Sequence, residues 1–193
     1  TVNALTNTDT NDAITVTVSD AISVSEFNTL NAKTGADIIL TGGITDEATA
    51  FSSSSGVIEP GLEALSSQDS DVTLTVNDKV NMAQFSDIDA STSVSVVLTG
   101  GISDEAVNLA DTSGSLSTDF SAATTQDSDV AVTITSGSGI TDANAAQISA
   151  VAGITSGAVT ASIAGDYATV NALTNTDTND AITVTVSDAI SVS

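Results

Sequence analysis

Residues 14–48 read ITVTVSDAISVSEFNTLNAKTGADIILTGGITDEA, and this stretch decides the fold. Ile14, Val16 and Val18 alternate with Thr15 and Thr17. A period of two in β-branched residues predicts a strand with one buried face. Val24, Phe27 and Leu30 then lie three apart, which suits a short helix, with Ser23 as N-cap and Glu26 at the capping-box position. ADIILTG predicts a second strand near residues 38–40, apolar enough to be covered on both faces. Gly42-Gly43 breaks that strand, and Ile44, Ala48 and Phe51 recur at helical spacing. Strands joined through helices are expected to lie parallel, with right-handed crossovers.

The stretch repeats. ITVTVSDAISVSEF, which begins at Ile14, returns as VTLTVNDKVNMAQF, which begins at Val72, so the two segments share one local structure. LTGGI, DEA and QDSD recur in the same register. Leu74 and Val76 take the strand positions, Met82, Phe85 and Ile88 the helix positions, and Ile102, Ala106 and Leu109 the positions after the second GG. A third unit opens at Val130 and has diverged, with SGSG inserted near its start, a strand expected near residues 159–163, and Tyr167, Val170 and Leu173 in the second helix. The largest repeat is the sharpest: TVNALTNTDTNDAITVTVSDAISVS fills residues 1–25 and again 169–193 without one change. The organisation read from this is the end of a preceding repeat (1–13), units at 14–71, 72–129 and 130–181, and the start of the next super-repeat (182–193). Ile14–Val18 and Ile182–Val186 are therefore expected to be equivalent, with Val16, Leu74, Val132 and Val184 all in one core.

These features predict an α/β repeat, a solenoid of short parallel strands alternating with short helices, with six strands in each super-repeat. Tandem all-β sandwiches are the alternative, though units that run 14–71 and 130–181 are short for domains of about 100 residues. GLEALSS and TDFSAATT read as small-residue stretches leading back to the next strand.

Twenty-five acidic side chains stand against two basic ones, Lys33 and Lys79, and the net charge is −23. Phosphate binding requires Lys and Arg, so nucleic acid is excluded as a partner, and an anionic membrane is disfavoured for the same reason. With 40% hydrophobic residues the chain is too apolar for a solvated acidic tail, so a core is expected. No run of about 18 apolar residues predicts a membrane span, and no signal peptide is read here. Cysteine is absent, which removes disulfide and thiol chemistry.

The acidic turns are the candidate sites. Asp69 and Asp71 recur as Asp127 and Asp129, and the matching turn of the third unit, TNTDTND, carries Asp177, Asn179 and Asp180, with Asp9, Asn11 and Asp12 in the terminal copy. Alternating oxygen donors suit calcium, which takes six to eight oxygens. The competing reading is that Asp and Asn form turns and cap helices. Asp46-Glu47 and Asp104-Glu105 precede expected helices, where a carboxylate answers the unpaired N–H groups. Paired carboxylates also hydrolyse glycosides, but a repeated pair with few aromatic platforms and no His or Arg argues against an enzyme. The TxT segments (Thr15 and Thr17, Thr73 and Thr75, Thr183 and Thr185) recur once per two coils. Ordinary outward-facing strand threonine is favoured over an ice-binding array.

TVTVSDAISVSEFNTLNAKTGADIILTG, ITDEA, the DSD turns and the near-absence of basic residues together resemble the giant repetitive surface proteins of bacteria, including those of marine cyanobacteria. The resemblance implies an extracellular location, export without a cleaved N-terminal signal, and a structural or adhesive role. GGITDEA lacks the third glycine of the calcium-binding β-roll nonapeptide, so that fold and its ligands do not transfer. The expected function is a non-catalytic structural repeat of an extracellular filament, stalk or surface layer. Its expected partners are adjacent copies of the repeat and laterally associated chains. An adhesin array binding glycan or another surface through calcium-bridged turns is the alternative.

Overall fold

The computed structural model describes residues 5–135 and 143–188. Strand β1 (Val16–Val18) leads into helix α1 (Val24–Asn31), then β2 (Ile38–Leu40), β3 (Ile44–Asp46), α2 (Ala48–Phe51) and α3 (Pro60–Gln68). The second unit repeats this order: β4 (Leu74–Val76), α4 (Met82–Ala90), β5 (Val97–Leu98), β6 (Ile102–Glu105), α5 (Ala106–Leu109) and α6 (Thr118–Gln126). The third unit contains β7 (Val132–Thr135), α7 (Ala145–Ile154), β8 (Val159–Gly165) and α8 (Tyr167–Asn171), and the repeated terminal sequence forms β9 (Ala181–Val186). The fold is mixed α/β, and every pair of named strands is parallel. The helices and the parallel pairing overturn the sandwich alternative.

Two compact units are formed: Thr1–Lys79 with Ala83–Thr99, and Val80–Met82 with Gly100–Ser193. In the first, β1 pairs with β2, Val16 opposite Ile38, and β3, β4 and β5 pair side by side in chain order. Past the glycine break, Ile22 bridges Ile44. In the second, β6, β7, β8 and β9 form one sheet, again in chain order.

Three expectations change. Ile44 and Ile102 are strand residues, not the first turn of a helix. The reason lies at Gly43 and Gly101, whose φ values of +76° and +82° redirect the chain after the break. A Cβ there would stand 2.7 Å from the Thr73 carbonyl oxygen and 2.6 Å from that of Ala131. Close approach lets the Ile44 N–H donate to Thr73 O and the Ile102 N–H to Ala131 O, which extends the sheet. GLEALSS and TDFSAATT are helices. Pro60 starts α3 at a position that tolerates its missing N–H, and Ser117 caps α6 through the Phe120 N–H. In the third unit α8 ends before Leu173, and Tyr167 is 55% exposed, so this helix does not bury its face as α2 and α5 do. The SGSG insertion lies outside the described residues.

The core is aliphatic with four phenylalanines, and all four are buried: Phe27, Phe51 and Phe85 in the first unit, Phe120 in the second. Burial of each contributes about 1.5–3 kcal/mol from the hydrophobic effect. Helix α1 buries Val24, Phe27 and Leu30 as their spacing predicts, and its capping box is formed. The Glu26 N–H donates to Ser23 Oγ, and Glu26 Oε2 accepts from the Ser23 N–H. Val16, Leu74 and Val132 are buried at 5%, 0% and 1% exposure, but Val184 is 46% exposed. That last assignment to the core is corrected: β9 is the outer strand of its sheet, and no further element covers it among the described residues.

Candidate functional site

Several acidic side chains bond across coils. Asp46 Oδ2 accepts the N–H of Val24, the first residue of α1, at 3.0 Å, while its Oδ1 accepts the Glu47 N–H. Asp104 repeats this with Met82, the first residue of α4, at 2.7 Å, and its Oδ1 also receives Glu105 N–H and Asn108 Nδ2. These aspartates were expected to cap the helices that follow them. They cap instead the helix that starts one coil earlier, because parallel coils bring the end of one strand beside the preceding helix N-terminus. Glu47 and Glu105 occupy the N-cap positions of α2 and α5 without a side-chain cap bond.

A second set of aspartates does the same at the other helices. Asp78, two residues after β4, accepts the N–H of Ala48 in α2 at 2.6 Å, and Asp188, two residues after β9, accepts that of Tyr167 in α8 at 3.4 Å. Asp20 is the counterpart of both, and it is exposed. Sequence reasoning passed over these residues, although their recurrence at the repeat spacing was the available signal.

The calcium candidates fall into two kinds of place. Asp177, Asn179 and Asp180 form a self-bonded turn: Asp177 N–H donates to Asp180 Oδ2 at 2.9 Å, and Asn179 N–H to Asp177 Oδ1 at 2.7 Å. Asp9, Asn11 and Asp12 form the same turn in the first copy. Asp180 Oδ1 also accepts the Val159 N–H at the start of β8. Asp69 and Asp127 terminate α3 and α6 as C-cap residues, and Asp71 and Asp129 are exposed two residues on. Among the described residues no group of three or more His, Cys, Asp or Glu side chains is gathered closely enough to hold a metal ion.

Beside Asp69 lies an open cleft of about 560 Å³, lined by Asp37, residues 38–41, Gln68, Asp69, Asp71 and Thr73. Among the described residues no strand pairs with the far side of β2, and the cleft lies there. Gln68 Oε1 accepts the Ile38 N–H at 3.2 Å and Asp69 Oδ2 the Leu40 N–H at 3.3 Å, so two side chains stand in for a neighbouring backbone. Gln68 Nε2 in turn donates to Asn31 Oδ1. Burial is the main force raising the Asp69 pKa above the usual carboxylate range, helped by a hydrogen bond from Asp71 and by its charge, while the Leu40 N–H acts in the opposite direction. The cleft is polar, and the groups described there are engaged in holding the strand.

The sharpest recurring contacts involve no charge. Thr34, Thr92 and Thr155 each donate through Oγ1 to the carbonyl of Ile14, Val72 and Val130, every time at 2.7 Å. Gln84 Nε2 reaches Ser52 O, and Gln147 Nε2 reaches its counterpart Ala110 O, both at 2.9 Å. The strand threonines Thr15, Thr17, Thr73, Thr183 and Thr185 face solvent, as their alternation predicts.

No known protein family, curated protein or solved structure matches this chain. Among the described residues no helix is long and apolar enough to cross a membrane.

Proposed function

We propose that this chain is a non-catalytic structural segment of an extracellular bacterial filament, stalk or surface layer, in which successive coils stack as a solenoid. The observation that carries the reading is the threonine clamp. Thr34, Thr92 and Thr155 hold the start of the first strand in each of the three units with one geometry, including a third unit that has otherwise diverged. An array stabilised by nearest-neighbour contacts of this kind gains reach and stiffness by adding coils, and needs no singular site. The carboxylates support it as well, since those of Asp46, Asp78 and Asp104 bond backbone N–H groups of a neighbouring coil. The units at 14–71, 72–129 and 130–181 are its modules, and adjacent copies of the repeat are its partners. The extracellular location rests on the resemblance to repetitive bacterial surface proteins.

The test is length. Chains carrying one, two and three copies of the super-repeat are compared by small-angle scattering and electron microscopy. Equal increments of length per copy are expected, and a globule whose dimensions grow with the cube root of mass would sink the reading.

A further inference from the structure

After α2 the chain makes a tight hairpin whose ends pair, Ser52 opposite Ile58, and the same hairpin returns after α5, with Ala110 opposite Leu116. Like bonds close both. Ser53 N–H donates to Val57 O and Glu59 N–H to Phe51 O in the first, Asp111 N–H to Ser115 O and Ser117 N–H to Leu109 O in the second. Each hairpin docks on the first helix of the following unit, α4 in one case and α7 in the other. Gln84 Nε2 donates to Ser52 O, and Gln147 Nε2 to Ala110 O, both at 2.9 Å. The approach is close: a Cβ on Gly56 would stand 3.1 Å from Ala83 Cβ, and one on Gly114 2.9 Å from Ala146 O. Because both junctions share these contacts, they dock a hairpin without distinguishing one helix from the other.

One pair differs. Ser52 is fully buried, and its Oγ donates to Asp87 Oδ2 at 2.7 Å, with Ser53 O also in reach at 3.3 Å. Ala110 takes the same hairpin position and is equally buried. Asp87 follows Gln84 by three residues, and the residue that follows Gln147 by three is Ala150. Asp87 and Ala150 are both half-buried. The first junction is therefore polar at both positions and the second is methyl at both. Serine docked on α7 would lose the carboxylate that receives its enclosed hydroxyl, and alanine docked on α4 would leave Asp87 without that donor. Either mismatch forfeits a hydrogen bond to a charged group.

We propose that Ser52 and Asp87, with their counterparts Ala110 and Ala150, form a matching code that selects which hairpin of the array docks on which helix. Units of such similar sequence offer each hairpin wrong helices of the right shape, and the shared contacts reject none of them. Discrimination needs an element that penalises the wrong partner, and the two alternative pairs supply it. The partner that each hairpin fits is thus a helix of this same repeat, with an acceptor for Ser52 and a methyl group for Ala110. This inference rests on the stacking reading above.

Two double-mutant cycles in the full chain test it, read as unfolding equilibria in denaturant. At the first junction, Ser52→Ala and Asp87→Ala are each expected to lower the folded-to-unfolded ratio about tenfold. The double variant should fall no further than the worse single one. At the second junction the order reverses: Ala110→Ser and Ala150→Asp should each lower the ratio, and combining them should recover most of the loss. Ala150→Asn repeats that cycle without added charge, and Asp87→Asn keeps an acceptor at the first junction, so both should preserve the coupling. A bond that merely stabilises the first junction gives coupling there and additive effects at the second, and that result overturns the code. Additive effects at both junctions overturn it too. If tandem chains still lengthen evenly in either case, the stacking reading stands and only the code falls.

Discussion

Asp104 and Met82 are joined by a 2.7 Å hydrogen bond from the Met82 backbone N–H to Asp104 Oδ2, and the carboxylate is 9% exposed. The pair links the end of β6 to the start of α4, and Asp46 and Val24 link β3 to α1 in the same way. Asp104 holds three donors and Asp46 two, which grades what their removal should cost.

Asp104→Ala leaves buried donors unmet and is expected to destabilise by about 1–3 kcal/mol for each that water cannot reach. Asp46 is only partly buried, and its alanine variant should resemble the loss of an ordinary cap, about 0.5–2 kcal/mol. Chemical denaturation of both variants measures the order, and an Asp46→Ala cost larger than that of Asp104→Ala would contradict it.

The threonine clamp gives a second measure. Thr155→Val keeps the side-chain shape but removes the donor to Val130 O, and Thr92→Val does the same for Val72 O. Each should cost about 0.5–1.5 kcal/mol in unfolding free energy, the usual net value of such a bond. The two effects should add when the substitutions are combined, because they act on separate coils.

Burial separates residues that share one sequence pattern. Leu74→Ala should cost about 2–5 kcal/mol, because the side chain is fully enclosed. Val184→Ala, at low protein concentration, should fall within about 0.5 kcal/mol of the parent, as surface substitutions do.

Asp69 is expected to set a pH dependence. Its folded pKa is raised, first by burial and then by Asp71, so the folded state binds the proton more tightly than the unfolded chain. Its contribution to stability is therefore fully present below the ordinary aspartate pKa and is lost as pH rises through the raised value. Asp69→Asn should raise the melting temperature at pH 7, with the gain shrinking as pH falls toward the unfolded carboxylate range. Glu26, Asp111 and Asp166 are shifted downward, chiefly by hydrogen bonds from Ser23, Ser113 and Thr169 respectively, and their contributions run the other way, fading in acid.

Calcium is a direct test of the acidic turns. If Asp177, Asp180 and their counterparts serve as backbone acceptors, millimolar calcium and sodium at matched ionic strength should give the same melting temperature. A larger shift in calcium, lost in the Asp127→Asn, Asp129→Asn double variant, would mark binding to the folded state.

Much of the architecture was legible in the chain. Period-two valine and isoleucine located β1, β4 and β7, the spacing of Val24, Phe27 and Leu30 located α1, and the Ser23–Glu26 box followed from local chemistry alone. Each depends on residues a few positions apart, which is the range over which sequence periodicity reports. The turn at TNTDTND was equally local, with Asn7 and Asn175 at φ values of 60° and 61° in its two copies. The strand character of Ile44 was not legible, because it depends on the distant carbonyl of Thr73, which becomes available only when the coils align. Nor was the partner of Asp104, since nothing in the order of residues says that a strand end will lie beside a helix begun a whole coil before. The identical copies make the division plainest. Sequence alone determined that residues 16 and 184 would both be strand valines. Only the tertiary structure decided that Val16 is buried beside β2 and Val184 exposed on an outer strand, because burial belongs to neighbours and not to the residue.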